Sequence, residues 1–222
     1  MIPPKENAAF VAAMEDVLEL YQRPYDERFP VLCMDEEPVQ LVKETPVPLP
    51  PRPGRPRRYD HDYERAGTAC VFLFTEPLGN WRRASVRERR TGVDWAREMQ
   101  ILLEIDYAEA QKVILVCDNL NTHKIAAFYE AFPPAVARRL VERIEIHPTP
   151  KHGSWLNVAE CELSVLSRHC LRNRTGTTEA LRHKVRAWQC ERNERQCGTD
   201  WRFTTDDARI RLKGLYPQYQ AA

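Results

Sequence analysis

Lys112-Val-Ile-Leu-Val-Cys-Asp118 is the stretch on which the reading of this chain turns. Five consecutive apolar residues, three of them β-branched, describe a strand covered on both faces, as found at the centre of a parallel or mixed sheet. The run ends on a carboxylate and passes into the polar segment Asn119-Leu-Asn-Thr-His123. At five residues the run is far too short to cross a bilayer.

Upstream, Pro30-Val-Leu-Cys-Met-Asp35 reads as a second buried strand that also closes on an aspartate. Pro38 to Lys43 is expected as a separate short strand. Thr68–Thr75 and Trp81–Arg89 make a hairpin around the turn Pro77-Leu-Gly-Asn80. Between these units, residues 45–56 hold six prolines, so the segment is expected as an extended, polyproline-like arm, continued by the basic patch Arg55, Arg57 and Arg58. An amphipathic helix over 6–21 leads the chain. Another, over 92–105, turns Val93, Ala96, Met99, Leu102 and Leu103 inward.

Downstream, the pattern predicts a helix over 122–132, a break at Pro133-Pro134 and a short helix over 135–141. A strand from Ile144 to His147 and a loop over 149–154 follow. Ser154 is expected to cap a helix running from Trp155 to about Arg172. A helix from Thr177 to Arg195 carries Leu181, Val185 and Trp188 on one face, and Thr204 caps a last helix. Strands and helices in this order argue an α/β fold with a mixed sheet flanked by helices.

The 222 residues are 43% hydrophobic and 29% charged, which excludes a disordered chain and a membrane-embedded one. The N-terminus lacks the basic-then-apolar pattern of an export signal, so none is expected. Seven cysteines, an odd number with no Cys-x-x-Cys pair, read as reduced thiols, with Cys33 and Cys117 in the core. The net charge of +1 conceals a gradient: residues 1–44 carry 4 basic and 10 acidic residues, and the remainder is net basic by 7. A polyanion partner for the later part follows from that asymmetry. Arg82, Arg83, Arg87, Arg89 and Arg90 along the second hairpin strand, with the Arg55–Arg58 patch, are its expected phosphate contacts.

Asp35, Asp118 and Glu160 are the candidate catalytic residues. Two aspartates at neighbouring strand ends and a glutamate from a packed helix can converge on one point, where sites assemble in α/β sheets. On that helix Leu156 and Leu163 flank Glu160, so its side is expected to be partly buried, with Glu162 pointing away. Three clustered carboxylates call for a cation, and Mg²⁺ takes oxygen ligands.

Three blocks carry a resemblance: Val31-Leu-Cys-Met-Asp35-Glu-Glu-Pro, Val116-Cys-Asp118-Asn-Leu-Asn-Thr-His123 and Pro150-Lys-His-Gly-Ser-Trp-Leu-Asn-Val-Ala-Glu160. Together they resemble the signature blocks of DDE transposases, in the bacterial insertion-sequence branch of the mariner-type superfamily. The resemblance covers the catalytic half only, because the helix-turn-helix modules of full-length members have no counterpart in the sequence. It implies an RNase H-like fold over residues 25–175, preceded by a helix and linker (1–24), interrupted by the Pro/Arg-rich arm (45–58) and followed by a C-terminal helical extension (176–222). It implies a metal-dependent endonuclease and strand transferase that uses Mg²⁺ or Mn²⁺, two ions, held by Asp35, Asp118 and Glu160. Its partner would be DNA, as a homodimer assembled on element ends, in the bacterial cytoplasm at the nucleoid, with no membrane and no organic cofactor.

Supporting roles are weaker. Asn119 and His123 could orient Asp118 or touch a phosphate, with a plain helix-start histidine as the alternative for His123. His152 could contact DNA, and Asn157 could hydrogen-bond near the metals. Trp155 reads as packing. The alternative to an enzyme is a truncated remnant that binds DNA or full-length transposase and interferes with it.

Overall fold

The computed structural model describes residues 7–45, 53–54, 62–118 and 122–218. Helix α1 (Ala8–Tyr21) leads into β1 (Val31–Glu44), and β2 (Tyr63–Glu76) and β3 (Trp81–Arg87) form the hairpin. Then come α2 (Gly92–Ile101), β4 (Val113–Cys117), α3 (Ala126–Ala131), α4 (Pro134–Glu142) and β5 (Ile144–Pro148). Helices α5 (Val158–His169), α6 (Thr178–Glu194) and α7 (Thr205–Arg211) complete the chain. The five strands lie in the order β3-β2-β1-β4-β5. The hairpin and β1 pair antiparallel, while β4 runs parallel to both β1 and β5.

Strand alternation sorts the core into two faces. Leu32 and Met34 of β1, with Val113, Leu115 and Cys117 of β4, pack under α2, α3 and α4 beside Trp95, Met99 and Phe128. Val31 and Cys33, with Ile114 and Val116, pack on the other face against α1, the start of α5 and α7. Farther along that face, Leu163 and Leu166 of α5 and Leu181, Val185 and Trp188 of α6 cover Leu41, Val71 and Leu73. All seven cysteines are free thiols, and Cys33 and Cys117 are buried. Among the described residues, no helix is long and apolar enough to cross a membrane.

Several expectations need correction. Pro38 does not divide two strands: β1 is continuous through it, with Pro38 opposite Cys70. Residues two apart present their backbone groups to the same edge of a strand. Met34 O turns away from β2 to accept from Asn157, so Pro38, four residues on, presents its nitrogen to that same edge. Strand β4 pairs only with Val31–Cys33, so a missing N–H breaks no ladder bond there. Asp35 therefore lies within a long strand rather than at its end. The helix at 92–105 is α2 followed by a π-helical turn, Leu102–Asp106. Helix α3 begins at Ala126, four residues later than predicted. The proline-rich arm, apart from Thr45, Pro53 and Gly54, and the patch Arg55, Arg57 and Arg58 lie outside the described residues.

Helix α6 covers the open edge of β3 with side chains in place of a sixth strand. Asn193 accepts from Arg82 N (3.0 Å) and donates to Arg82 O (2.8 Å), and Gln189 Oε1 accepts from Ala84 N (2.7 Å). These bonds satisfy edge groups that would otherwise template another chain.

Candidate active site

The parallel register brings the two aspartates together. Leu32 lies opposite Leu115 and Cys33 opposite Val116. Two steps further along the same register come Asp35 and Asp118. Alternation turns Asp35 toward the face that carries Cys33, which is the α5 face, while Asp118 lies one residue beyond the end of β4.

Helix α5 supplies the third acid, and its start is not where the sequence suggested. Ser154 opens a single 3-10 turn, Ser154–Leu156, and caps nothing. Asn157 is the N-cap: its Oδ1 accepts from Ala159 N at 3.1 Å. Its Nδ2 donates to Met34 O at 2.9 Å, in the residue before Asp35, and Asn157 is 2% exposed. One side chain therefore both starts the helix and fastens it to the catalytic strand. Tyr21 adds a second tie from α1, donating to Leu156 O at 2.7 Å. Trp155 stacks edge-on against Phe203, a packing role as expected.

Glu160 thus falls in the first turn of α5, where the helix dipole favours a carboxylate. It is exposed rather than partly buried as expected, because α5 starts at Val158 and Leu156 is not part of its face. Burial pushes the Asp35 carboxyl up to about 7 against a hydrogen bond from Glu36 N that pulls it down, and the charges of Glu160 and Asp118 push it further. Glu160 and Asp118 are therefore each within electrostatic reach of Asp35. Glu37, on the same face of β1 as Asp35, is raised by burial and by Glu160.

Beneath Asp118 sits a buried histidine between two carboxylates. His123 Nδ1 is 2.7 Å from Asp118 Oδ1, and Nε2 is 3.0 Å from Glu36 Oε1. Burial lowers the imidazole pKa, but the contacts with Asp118, then Cys117 and Glu36, override it and carry the pKa up to about 12. At 6% exposure His123 cannot reach a phosphate, and it precedes α3 rather than starting it. It orients Asp118. Glu36, buried at 8%, was missed by sequence reasoning. The available signal was alternation, which puts Glu36 on the covered face with Leu32 and Met34 while Asp35 takes the other. Asn119 lies outside the described residues.

His152 is exposed at φ +68°, on a turn closed by Gly153 N donating to Pro150 O at 2.8 Å. Left-handed backbone is the usual place of glycine, and strain of this kind collects at functional sites.

The arginine-rich strand is not a row of free cations. Arg82 is fully buried, 3.1 Å from Glu162, which also pairs with Arg192 at 2.8 Å. Arg83 and Arg87 both hold buried Glu98, and Arg83 reaches Asp106 at 3.0 Å. Arg89 and Arg90, in the following loop, are exposed. Glu162 does point away from Glu160, as expected, but it points into the protein.

The donor set suits a hard divalent cation: three oxygen-only carboxylates whose mutual repulsion a cation would relieve. Among the described residues, no three His, Cys, Asp or Glu side chains close around one point as a finished cage. An open set is compatible with Mg²⁺, which keeps several waters and shares its ligands with substrate phosphates.

No curated protein matches the sequence. Among solved structures, the Mos1 transposase paired-end complex with the left transposon end is similar at a TM-score of 0.58 and 16% identity, over 97% of this chain and 66% of that one. The Mos1 mariner paired-end complex with Mn is similar at 0.54 and 16% identity, over 88% and 60%. The Mos1 paired-end complex with Mg gives 0.55 at 16% identity, over 98% and 66%. This chain spans less than two thirds of the length of these relatives, and at such identity the likeness is one of fold, the RNase H-like α/β fold. In sequence, the profile of the DDE superfamily endonucleases matches residues 30–182, from just before β1 into α6. That span contains Asp35, Asp118 and Glu160 together with the strand register and the cap that gather them, and the chain belongs to the DDE superfamily endonuclease family.

Proposed function

We propose that the chain is the catalytic part of a DNA transposase, which cleaves element ends and transfers the resulting strand into target DNA. The observation that carries this reading is the fastening of α5 to β1 through Asn157 and Met34 O, beside adjacent parallel strands that bear Asp35 and Asp118. Residues 25–175 form the catalytic unit and 176–222 its helical extension. The Mos1 relatives are paired-end complexes with Mn or Mg, which supports a homodimer on DNA and a requirement for Mg²⁺ or Mn²⁺. The setting is the bacterial cytoplasm, at the nucleoid.

Asp35, Asp118 and Glu160 would hold two divalent ions, which when bound supply Lewis-acid stabilisation of the attacking and leaving oxygens. The rest is positioning and charge. His123, backed by Glu36, fixes the Asp118 carboxylate, and Asn157 fixes the Glu160 helix. His152, exposed on its turn, would contact incoming DNA. For Asn119 and the arm arginines Arg55, Arg57 and Arg58, which lie outside the described residues, a phosphate contact is proposed from the sequence alone. In the first step water adds to phosphorus and one P–O bond breaks, freeing a 3′-hydroxyl. In the second that hydroxyl attacks a target phosphodiester, and one P–O bond forms as another breaks.

The test is cleavage and strand transfer on pre-nicked, end-exposed DNA with and without Mg²⁺. Asp118→Asn, which keeps the shape and removes the charge, abolishes activity. Equal cleavage by Asp118→Asn would place the chemistry elsewhere.

A further inference from the structure

A cavity of 410 Å³ opens between the C-terminal end of α5 and the outer face of α6. It is lined by His169, His183, Lys184, Trp188, Arg192 and Arg195, with Glu191 the one carboxylate among its walls. Glu191 is already paired with Arg195 at 3.0 Å. Arg192 lies over the Trp188 ring at 5.6 Å and gives two of its donors to Glu162. Lys184 Nζ donates to Thr175 Oγ1 at 2.6 Å and to Arg174 O at 3.5 Å, which leaves one of its three protons. Trp188 is 6% exposed, and its buried indole N–H has no acceptor. The walls are thus rich in donors and poor in acceptors, with an aromatic surface at their centre. Their complement is an anion bearing several acceptor oxygens, attached to something flat or apolar.

We infer that this cavity is a second DNA site, which takes a backbone phosphate of the duplex flanking the scissile position. This rests on the reading that the acids act on DNA. Glu160 and His169 are nine residues apart on α5. At 1.5 Å per residue the cavity mouth is about 14 Å along the helix from the acids. Nine residues also make about two and a half turns, so Glu160 and His169 lie on opposite sides of α5, and a strand from the acids must in addition cross the helix width of about 10 Å. At about 3.4 Å per nucleotide that brings a phosphate to the cavity about five or more nucleotides away. The family profile ends at residue 182, so Trp188, Arg192 and Arg195 lie beyond the part matched to the family. The cavity thus joins a wall from the matched part, at His169, to one from the extension.

The experiment uses the full chain and a short mixed-sequence duplex. Binding is measured across a salt series for the wild type, Lys184→Gln and Arg195→Gln. The indole N–H resonances are followed by NMR, with Trp188 assigned by Trp188→Phe. Each glutamine variant should flatten the slope of log K against log salt by about 0.9 for one lost phosphate contact. DNA should move the Trp188 N–H resonance. Arg195 has a 71% exposed side chain, so its variant folds as the wild type does. Duplex binding with unchanged slopes in both variants and an unmoved Trp188 resonance overturns the cavity assignment alone. Absence of any duplex binding overturns it together with the proposed function.

Discussion

Replacing Glu162 by glutamine would test whether the buried ion cluster holds the catalytic helix to the sheet. Glu162 is 2% exposed and neutralises two guanidiniums, Arg82 from β3 at 3.1 Å and Arg192 from α6 at 2.8 Å. Burial already pulls the Arg82 pKa down, and Glu162 is the charge that pulls it back. Glutamine fills the same space but leaves Arg82, at 0% exposure, as an uncompensated buried cation. Removing one partner of a buried pair costs about 3–5 kcal/mol. For a chain of this size each kcal/mol moves the melting temperature by about 2–4 °C, so a drop of about 6–20 °C is expected in a thermal melt. The double variant Glu162→Leu with Arg82→Met should recover most of that loss, because an apolar replacement of the whole pair is about neutral. The Asn193 bonds to the Arg82 backbone survive in it. Denaturant unfolding supplies the free energies. A Glu162→Gln protein within about 1 kcal/mol of the wild type would refute the reasoning, since a buried guanidinium without a counter-charge cannot be that cheap.

Asn157→Ala removes the α5 cap and leaves Met34 O without its donor, so a loss of about 2–4 kcal/mol is expected in urea, along with a higher Mg²⁺ requirement for cleavage; a loss under 1 kcal/mol would mean the helix is held elsewhere. His152→Gly relieves left-handed backbone, so stability should hold or rise by about 1 kcal/mol while cleavage falls; unfolding and cleavage assays on one preparation separate the two effects. The α1–α7 contact should be acid-sensitive. The Arg209 hydrogen bond holds Glu15 below its ordinary 4.5 despite partial burial, so the stabilisation is present above that value and is lost as pH falls through the depressed folded pKa. The stability gap between the wild type and Arg209→Gln should therefore shrink in that acid window, and a gap that stays constant would contradict the linkage.

The sequence by itself determined the strands and their chemistry. The apolar runs at 31–34 and 113–117 could only be covered strands, and the helix faces built on Leu181, Val185 and Trp188 follow from their spacing alone. The three blocks around Asp35, Asp118 and Glu160 pointed to the family that the profile identifies. The tertiary structure decided whatever depends on a partner from another element. Pro38 reads as a strand break until the open edge of β1 is known. Ser154 and Asn157 are equally good caps locally, and Asn157 prevails because Met34 O gives its amide a second bond. That choice delays α5 and puts Glu160 at its exposed start. The arginines of β3 looked like a polyanion stripe, because a sequence shows charge but not the counter-charge that meets it. Glu98 and Glu162 arrive from α2 and α5, and once they pair with Arg83, Arg87 and Arg82 that charge is internal. A buried ion is tolerated only with its partner in place, and that pairing exists only after the chain has folded.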